Sequence, residues 1–174
     1  FLGPLANPAQ PIATSLGVAN RSLAPLMARE MAARGRSALV FRGNDGLDEL
    51  TTTANNDIWQ VSGGEVQEFT LNPSDFGIKR ASIEQLIGGD AQANAETANR
   101  VFSGETAGNL AAIRDIVILN AAGGVVAYEL AKDASRAEVD LDVRFEDAIL
   151  RVTSALDSGA AQAKLTKWIA ATQL

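Results

Sequence analysis

The chain has 174 residues, of which 47% are hydrophobic and 21% charged, proportions typical of one soluble globular domain. It contains no cysteine and no histidine, which excludes disulfides, thiolate nucleophiles, cysteine-ligated metal centres and Ser–His–Asp catalysis. The net charge of −6 argues against non-specific nucleic-acid binding, because no basic excess is present to neutralise phosphates.

The chain opens on Phe1-Leu2-Gly3-Pro4, without a methionine. This start indicates either a processed protein or a piece of something longer. No basic stretch followed by an apolar core occurs there, so we expect a cytoplasmic location rather than secretion.

Residues 12–42 predict a strand–helix–strand unit. The segment from Ile12 to Val18 is apolar and partly β-branched, as in a short strand, and Ser22 to Arg34 carries apolar residues at helical spacing. Residues 37–41 form a continuous apolar run, which is typical of a buried strand. We expect the two strands to be parallel and the helix to pack across them, with Leu39, Val40 and Phe41 buried.

Residues 58–70 predict a β-hairpin, because two alternating segments flank the Gly63-Gly64 pair. Residues 90–174 are predicted to be mainly helical. Helices are expected at 90–102, 109–130, 141–156 and 160–170, and the tryptophans at positions 59 and 168 are expected to be packing residues.

This inventory predicts the α/β class but holds few strands for its helices to cover. Parallel sheets are normally built from several strands and buried on both faces. We therefore expect further strands to come from sequence outside residues 1–174.

The strongest candidate for chemistry is the loop after the second strand, residues 43–49. Ligands of parallel α/β sheets bind beyond the carboxyl ends of the strands, where this loop begins. Asp48 and Glu49 are adjacent, and two carboxylates together with substrate phosphates are a common way to hold magnesium. Taken without context, the alternative that the pair simply points into solvent is favoured.

Three other segments favour structural roles. The opening stretch, residues 2–8, has two prolines and a glycine, as in a turn or the wall of a small pocket. Gly88-Gly89-Asp90 could present a helix amino terminus to an anion, yet a plain helix cap is favoured. Gly123-Gly124 favours close helix packing over approach of a ligand.

Several stretches together carry a resemblance to a known family. They are LGPLANPA (residues 2–9), a Leu-Gly-Val strand (16–18), GNDGLDELT (43–51), LNPSDFGI (71–78), IGGDAQANA (87–95), VILNAAG (117–123) and SALDSGAA (154–161). In this order and spacing the chain resembles the anthranilate phosphoribosyltransferases over essentially its whole length.

The resemblance implies a fold of the nucleoside phosphorylase/phosphoribosyltransferase-like type. Such an enzyme has a small helical domain beside a large α/β domain, whose parallel sheet is flanked by helices. Residues 1–174 would be the carboxyl-terminal part of the large domain, with the amino-terminal helical domain and several strands absent. Residues 1–9 would lie near the interdomain cleft, and the full-length protein would be a homodimer.

The resemblance also implies an activity in tryptophan biosynthesis. The amino group of anthranilate takes the phosphoribosyl group of 5-phosphoribosyl 1-pyrophosphate, giving N-(5-phosphoribosyl)anthranilate and pyrophosphate. Magnesium is required, and Asp48 and Glu49 match the family's acidic metal-binding pair. No catalytic side chain and no individual substrate contact is predicted within this chain.

Some family features are missing or changed. The glycine-rich phosphate-binding stretch, a Lys-His-Gly-Asn stretch and an arginine that meets anthranilate would all precede Phe1. Arg42 stands where many members have histidine, at a position outside the metal ligands. The 174-residue chain is therefore expected to be inactive and poorly stable alone. The alternatives are a pyrimidine or thymidine phosphorylase-like enzyme and a non-catalytic structural fragment.

Overall fold

The computed structural model describes residues 3–173. Its strands and α-helices are, in chain order, β1 (Ala13–Gly17), α1 (Ala24–Ala33), β2 (Ser37–Gly43), β3 (Asn56–Ser62), β4 (Glu65–Leu71), α2 (Ala91–Phe102), α3 (Leu110–Lys132), α4 (Leu141–Asp157) and α5 (Ala160–Thr172). The predicted α/β class is confirmed.

The four strands form one sheet in the order β1-β2-β3-β4. β1 and β2 are parallel, with Ala13 opposite Ser37, whereas β2–β3 and β3–β4 are antiparallel. The hairpin turns at Gly63 and Gly64, whose φ angles of 60° and 83° belong to the left-handed region that glycine adopts readily. The predicted parallel pair and hairpin are both confirmed, and joining them makes the sheet mixed.

Helices cover both faces of this sheet. Side chains alternate along β2, so Val40 packs with α1 on one face while Leu39 and Phe41 pack with α3 and α4 on the other. These three side chains are 0%, 0% and 4% exposed, which confirms their predicted burial.

α3 is the central helix. Its 23 residues include an 18-residue window of mean hydropathy 1.7, long and apolar enough to cross a membrane by those two measures alone. However, 44% of that window is buried inside the protein, against the sheet and α4, as in a core helix. A Cβ on Gly123 would lie 2.8 Å from Leu50 Cδ1, so this glycine permits close packing, but mainly of the loop residue Leu50 and not of a second helix. A Cβ on Gly124 would meet no atom within 4 Å, so the predicted packing role of this second glycine is wrong.

The two tryptophans differ. Trp59 is 6% exposed within the core, as predicted, but Trp168 is 67% exposed and its predicted packing role is wrong. α5, which carries Trp168, touches only α2 and α4 extensively and buries none of its own residues. One face of this last helix therefore stays open within residues 3–173.

Candidate metal centre

The acidic loop, residues 43–50, begins at the carboxyl end of β2, beside the end of the parallel strand β1. Gly46 N–H donates to the Gly43 carbonyl at 2.9 Å, and Gly43 N–H donates to the Leu47 carbonyl at 3.0 Å. These two hydrogen bonds close the loop into a compact turn. It lies beyond the carboxyl ends of the parallel strands, where ligands of such sheets bind.

Asp45 is a structural carboxylate of this loop. It accepts hydrogen bonds from Leu47 N–H at 3.0 Å, from the Thr51 hydroxyl at 2.6 Å and from the Thr53 hydroxyl. Desolvation raises the pKa of Asp45, but the hydrogen bonds from Thr51, Thr53 and Leu47 outweigh it, so the pKa is lowered overall. The carboxylate of Asp45 thus accepts hydrogen bonds that stabilise the loop.

The carboxylates of Asp48 and Glu49 are in the opposite situation. Both residues are exposed, and within residues 3–173 neither side chain takes part in a hydrogen bond or an ion pair. Of the three acidic groups on the loop, these two remain free to bind a cation.

The main chain beneath this pair is held by close packing. A Cβ on Gly17, the last residue of β1, would lie 1.6 Å from the Asp48 carbonyl oxygen. Only a glycine at this position lets the loop fold back over the end of β1. The peptide group that joins Asp48 to Glu49 therefore rests directly on the sheet.

The chain that follows the pair is held by two asparagine side chains. Asn120 of α3 accepts from Leu50 N–H at 2.9 Å and donates to the Leu50 carbonyl at 2.8 Å. Asn56, at the start of β3, accepts from Thr51 N–H at 2.7 Å and donates to the Thr51 carbonyl at 3.1 Å. Successive residues are thereby fixed from both a helix and a strand.

Arg42 ties the two strand ends together instead of pairing with an acid. Its Nε donates to the Ala19 carbonyl at 2.8 Å and its Nη1 to the Gly43 carbonyl at 2.9 Å. These bonds give Arg42 a structural role beside the acidic loop.

The other predicted segments lie elsewhere. Leu2 is outside the described residues, and the Leu5 carbonyl accepts from Arg34 Nη1 at 2.8 Å, near the start of β2. Asp90 caps α2 by accepting from Ala93 N–H at 2.9 Å, as favoured over an anion site.

The carboxylates of Asp48 and Glu49 can hold magnesium only if oxygen atoms from other groups complete the coordination of the ion. Among residues 3–173 no group of three or more His, Cys, Asp or Glu side chains is placed to hold a metal ion. Magnesium is commonly held by one or two carboxylates with waters and substrate phosphates. Asp48 and Glu49, both free and both oxygen donors, fit that form of site.

Sequence reasoning missed the residues that support the pair. Asp45, Thr51, Thr53, Asn56 and Asn120 carry the hydrogen bonds of the loop, yet none was singled out. A signal was present for Asn120, because asparagine in the middle of an apolar helix is unfavourable for the helix and points to a tertiary partner.

Comparisons with known proteins identify the family of this chain. Residues 1–162 match the model of the glycosyl transferase family, a/b domain. The anthranilate phosphoribosyltransferase of Leifsonia xyli is 47% identical over 99% of this chain, which covers 48% of that protein. The chain thus spans about half the length of the curated relatives it matches.

Solved structures show the same likeness. The anthranilate phosphoribosyltransferase of Thermus thermophilus is 34% identical, with a TM-score of 0.78 over 97% of this chain and 46% of its own. The enzyme of Saccharomyces cerevisiae, solved in complex with PRPP and Mg, is 26% identical, with a TM-score of 0.77 over 95% of this chain and 44% of its own. The resemblance found in the sequence motifs is confirmed, and the chain belongs to the glycosyl transferase family, a/b domain.

Proposed function

We propose that this chain supplies the magnesium-binding acidic loop of an anthranilate phosphoribosyltransferase. The observation that carries the proposal is the pair of free carboxylates, Asp48 and Glu49, on a rigid loop at the carboxyl end of parallel strands. The relatives that match this chain carry the transferase name, which favours it over the phosphorylase-like alternative.

In the proposed reaction the anthranilate nitrogen bonds to C1 of the ribose as the bond from C1 to the pyrophosphate oxygen breaks. The nitrogen then loses a proton. Magnesium, when bound, would neutralise charge on the departing pyrophosphate. Asp48 and Glu49 would hold the ion, and the hydrogen-bonded loop would keep both carboxylates in place. The steps need no covalent intermediate on the protein, consistent with the absence of cysteine and histidine.

A chimera provides the test. In the chimera, this chain replaces the matching half of the Leifsonia xyli relative, to which it is 47% identical. We expect it to consume anthranilate with 5-phosphoribosyl 1-pyrophosphate and magnesium, followed by anthranilate fluorescence. No turnover in a folded chimera would favour the alternative of a non-catalytic fragment.

Substitution of the acidic pair then tests the metal site. Asp48→Asn and Glu49→Gln should each raise the magnesium concentration for half-maximal activity by about tenfold or more and slow turnover. The fold should survive, because both residues are exposed. Glu146→Gln and Asp147→Asn, in an exposed acidic pair on α4, are the matched controls and should change neither. An unchanged magnesium response in both loop variants would refute the metal assignment.

The chain by itself is proposed to be inactive. Phosphoribosyl transfer must position two substrates and stabilise the charge of the leaving pyrophosphate. The family's glycine-rich phosphate-binding stretch was not found among residues 1–174. Turnover by the purified 174-residue chain at the rate of the chimera would show this prediction to be wrong.

The homodimeric state and the cytoplasmic location also belong to the proposal. Both rest on the resemblance to the family. Light scattering of the chimera should give the mass of two chains, and a monomer at micromolar concentration would contradict the dimer.

A further inference from the structure

Asn120 is a fully bonded amide in the middle of α3. Its Oδ1 accepts from Leu50 N–H at 2.9 Å, while its Nδ2 donates to the Leu50 carbonyl at 2.8 Å and to the Ile116 carbonyl at 2.9 Å. An asparagine amide offers two donor hydrogens and one acceptor oxygen, so these partners fix its orientation.

The partner of this amide is the residue that directly follows the acidic pair. Leu50 is 0% exposed, and its side chain fits against Gly123, one turn further along α3. Both main-chain polar groups of Leu50 are therefore held by a side chain 70 positions away in sequence. Buried main-chain groups need such partners, and no regular strand or helix supplies them here.

We propose that Asn120 is a positioning residue for the metal pair, because its amide fixes the backbone that sets where Asp48 and Glu49 point. This inference rests on the proposed function. The main chain at Asp48 packs closely against Gly17 on one side, and Asn120 binds both main-chain polar groups of Leu50 on the other. The backbone of Glu49 lies between these two contacts, so we expect the direction of both carboxylates to depend on them.

Preorganisation of this kind acts on metal affinity more than on the chemical step. Residues that orient metal ligands typically change metal affinity by about 10–100-fold when they are mutated. Loss of Asn120 should therefore act through magnesium, and a sufficient concentration of magnesium should recover most of the turnover.

The test uses two substitutions in the chimera. Asn120→Ala keeps high helix propensity but leaves Leu50 unpaired. Asn120→Ser can still donate to the Ile116 carbonyl, yet it is too short to bridge both polar groups of Leu50. Each should raise the half-maximal magnesium concentration by about tenfold or more, with kcat at saturating magnesium reduced much less. The same shift should appear without turnover, in the magnesium concentration needed for half-maximal thermal stabilisation with 5-phosphoribosyl 1-pyrophosphate and no anthranilate.

A destabilised protein without a loop defect serves as the control. Met31→Ala removes a fully buried side chain on the other face of the sheet and should lower the melting temperature without changing the magnesium requirement. If Met31→Ala raises the magnesium requirement as much as the Asn120 variants, the positioning role is refuted. It is also refuted if both Asn120 variants stay within twofold of the unsubstituted chimera.

The Asp48→Asn variant separates the two possible failures. If Asp48→Asn raises the magnesium concentration for half-maximal activity and the Asn120 variants do not, the metal site is supported and only the role of Asn120 is refuted. If neither Asp48→Asn nor Glu49→Gln shifts it, the metal assignment falls and the inference about Asn120 falls with it. We expect substitution of Asp48, Glu49 or Asn120 to raise the half-maximal magnesium concentration in each case.

Discussion

The acidic loop and the last helix, α5, are both at the edge of the molecule, but they are held in different ways. Leu50 at the end of the loop and Thr51 directly after it are 0% exposed, and asparagine side chains bind their main chains. In α5 no residue is buried, and Trp168 and Ile169 are 67% and 50% exposed. The irregular segment is thus the more tightly fixed of the two.

The difference follows from where each backbone finds its hydrogen bonds. A helix satisfies its own main-chain polar groups, and the alanine-rich α5 has high helix propensity, so its backbone needs no hydrogen-bond partner from another element. The loop cannot satisfy itself in this way. It depends on Asn56, Asn120 and the threonine hydroxyls, and through them on the sheet and α3.

The largest expected loss of stability comes from truncating a core side chain beneath the loop. Phe41→Ala should cost about 3–5 kcal/mol of the free energy of unfolding, because it opens a cavity between β2 and α3. Ile169→Ala on α5 is the control and should cost far less, since half of that side chain is already exposed. Urea unfolding of the chimera measures both, and similar losses would remove the contrast between the two regions.

The next largest loss of stability comes from removing a side-chain amide that binds the main chain beside the loop. Asn56→Ala leaves the buried N–H and carbonyl of Thr51 without their partner, which should cost about 1–3 kcal/mol. Asn99→Ala, an asparagine on the exposed surface of α2, should cost less than about 0.5 kcal/mol. Equal urea midpoints for the two variants would mean that the loop does not depend on its amide clamps.

A smaller effect should appear as a dependence on pH. The pKa of Asp45 is lowered in the folded protein, so its contribution to stability is full above its unfolded pKa and is lost as the pH falls through the folded value. Asp45→Asn removes that contribution. The urea midpoints of the parent chimera and the variant should therefore differ near neutral pH and converge below about pH 4. A constant gap down to the most acid pH would contradict the role given to Asp45.

Regular elements were predictable from the sequence, whereas the support of the loop was not. Apolar periodicity and the Gly63-Gly64 turn predict strands, helices and hairpin, since these depend on local spacing. The pairing of Asn120 with Leu50 joins positions 70 residues apart, and no local pattern specifies it. The metal-binding role of Asp48 and Glu49 stays a prediction, and it came from the resemblance, because two adjacent acids are too common to indicate a site alone. Trp168 was misassigned because its apolar character does not report whether a partner covers it.

The smallest expected effect tests whether α5 is exposed. The chain has two tryptophans, so Trp59→Phe leaves Trp168 as the only one and Trp168→Phe leaves Trp59. Because Trp168 is 67% exposed and Trp59 only 6%, acrylamide should quench the first variant's fluorescence strongly and the second's weakly. Trp168→Phe removes little buried area and should alter stability by less than about 0.5 kcal/mol. The measurement is made on the 174-residue chain, with its folded state checked by circular dichroism, and again on a chimera in which any tryptophan of the relative's half is replaced by phenylalanine. Strong quenching in the chain but weak quenching in the chimera would show that the other half of the protein covers α5. The open face of α5 would then be a feature of residues 3–173 alone.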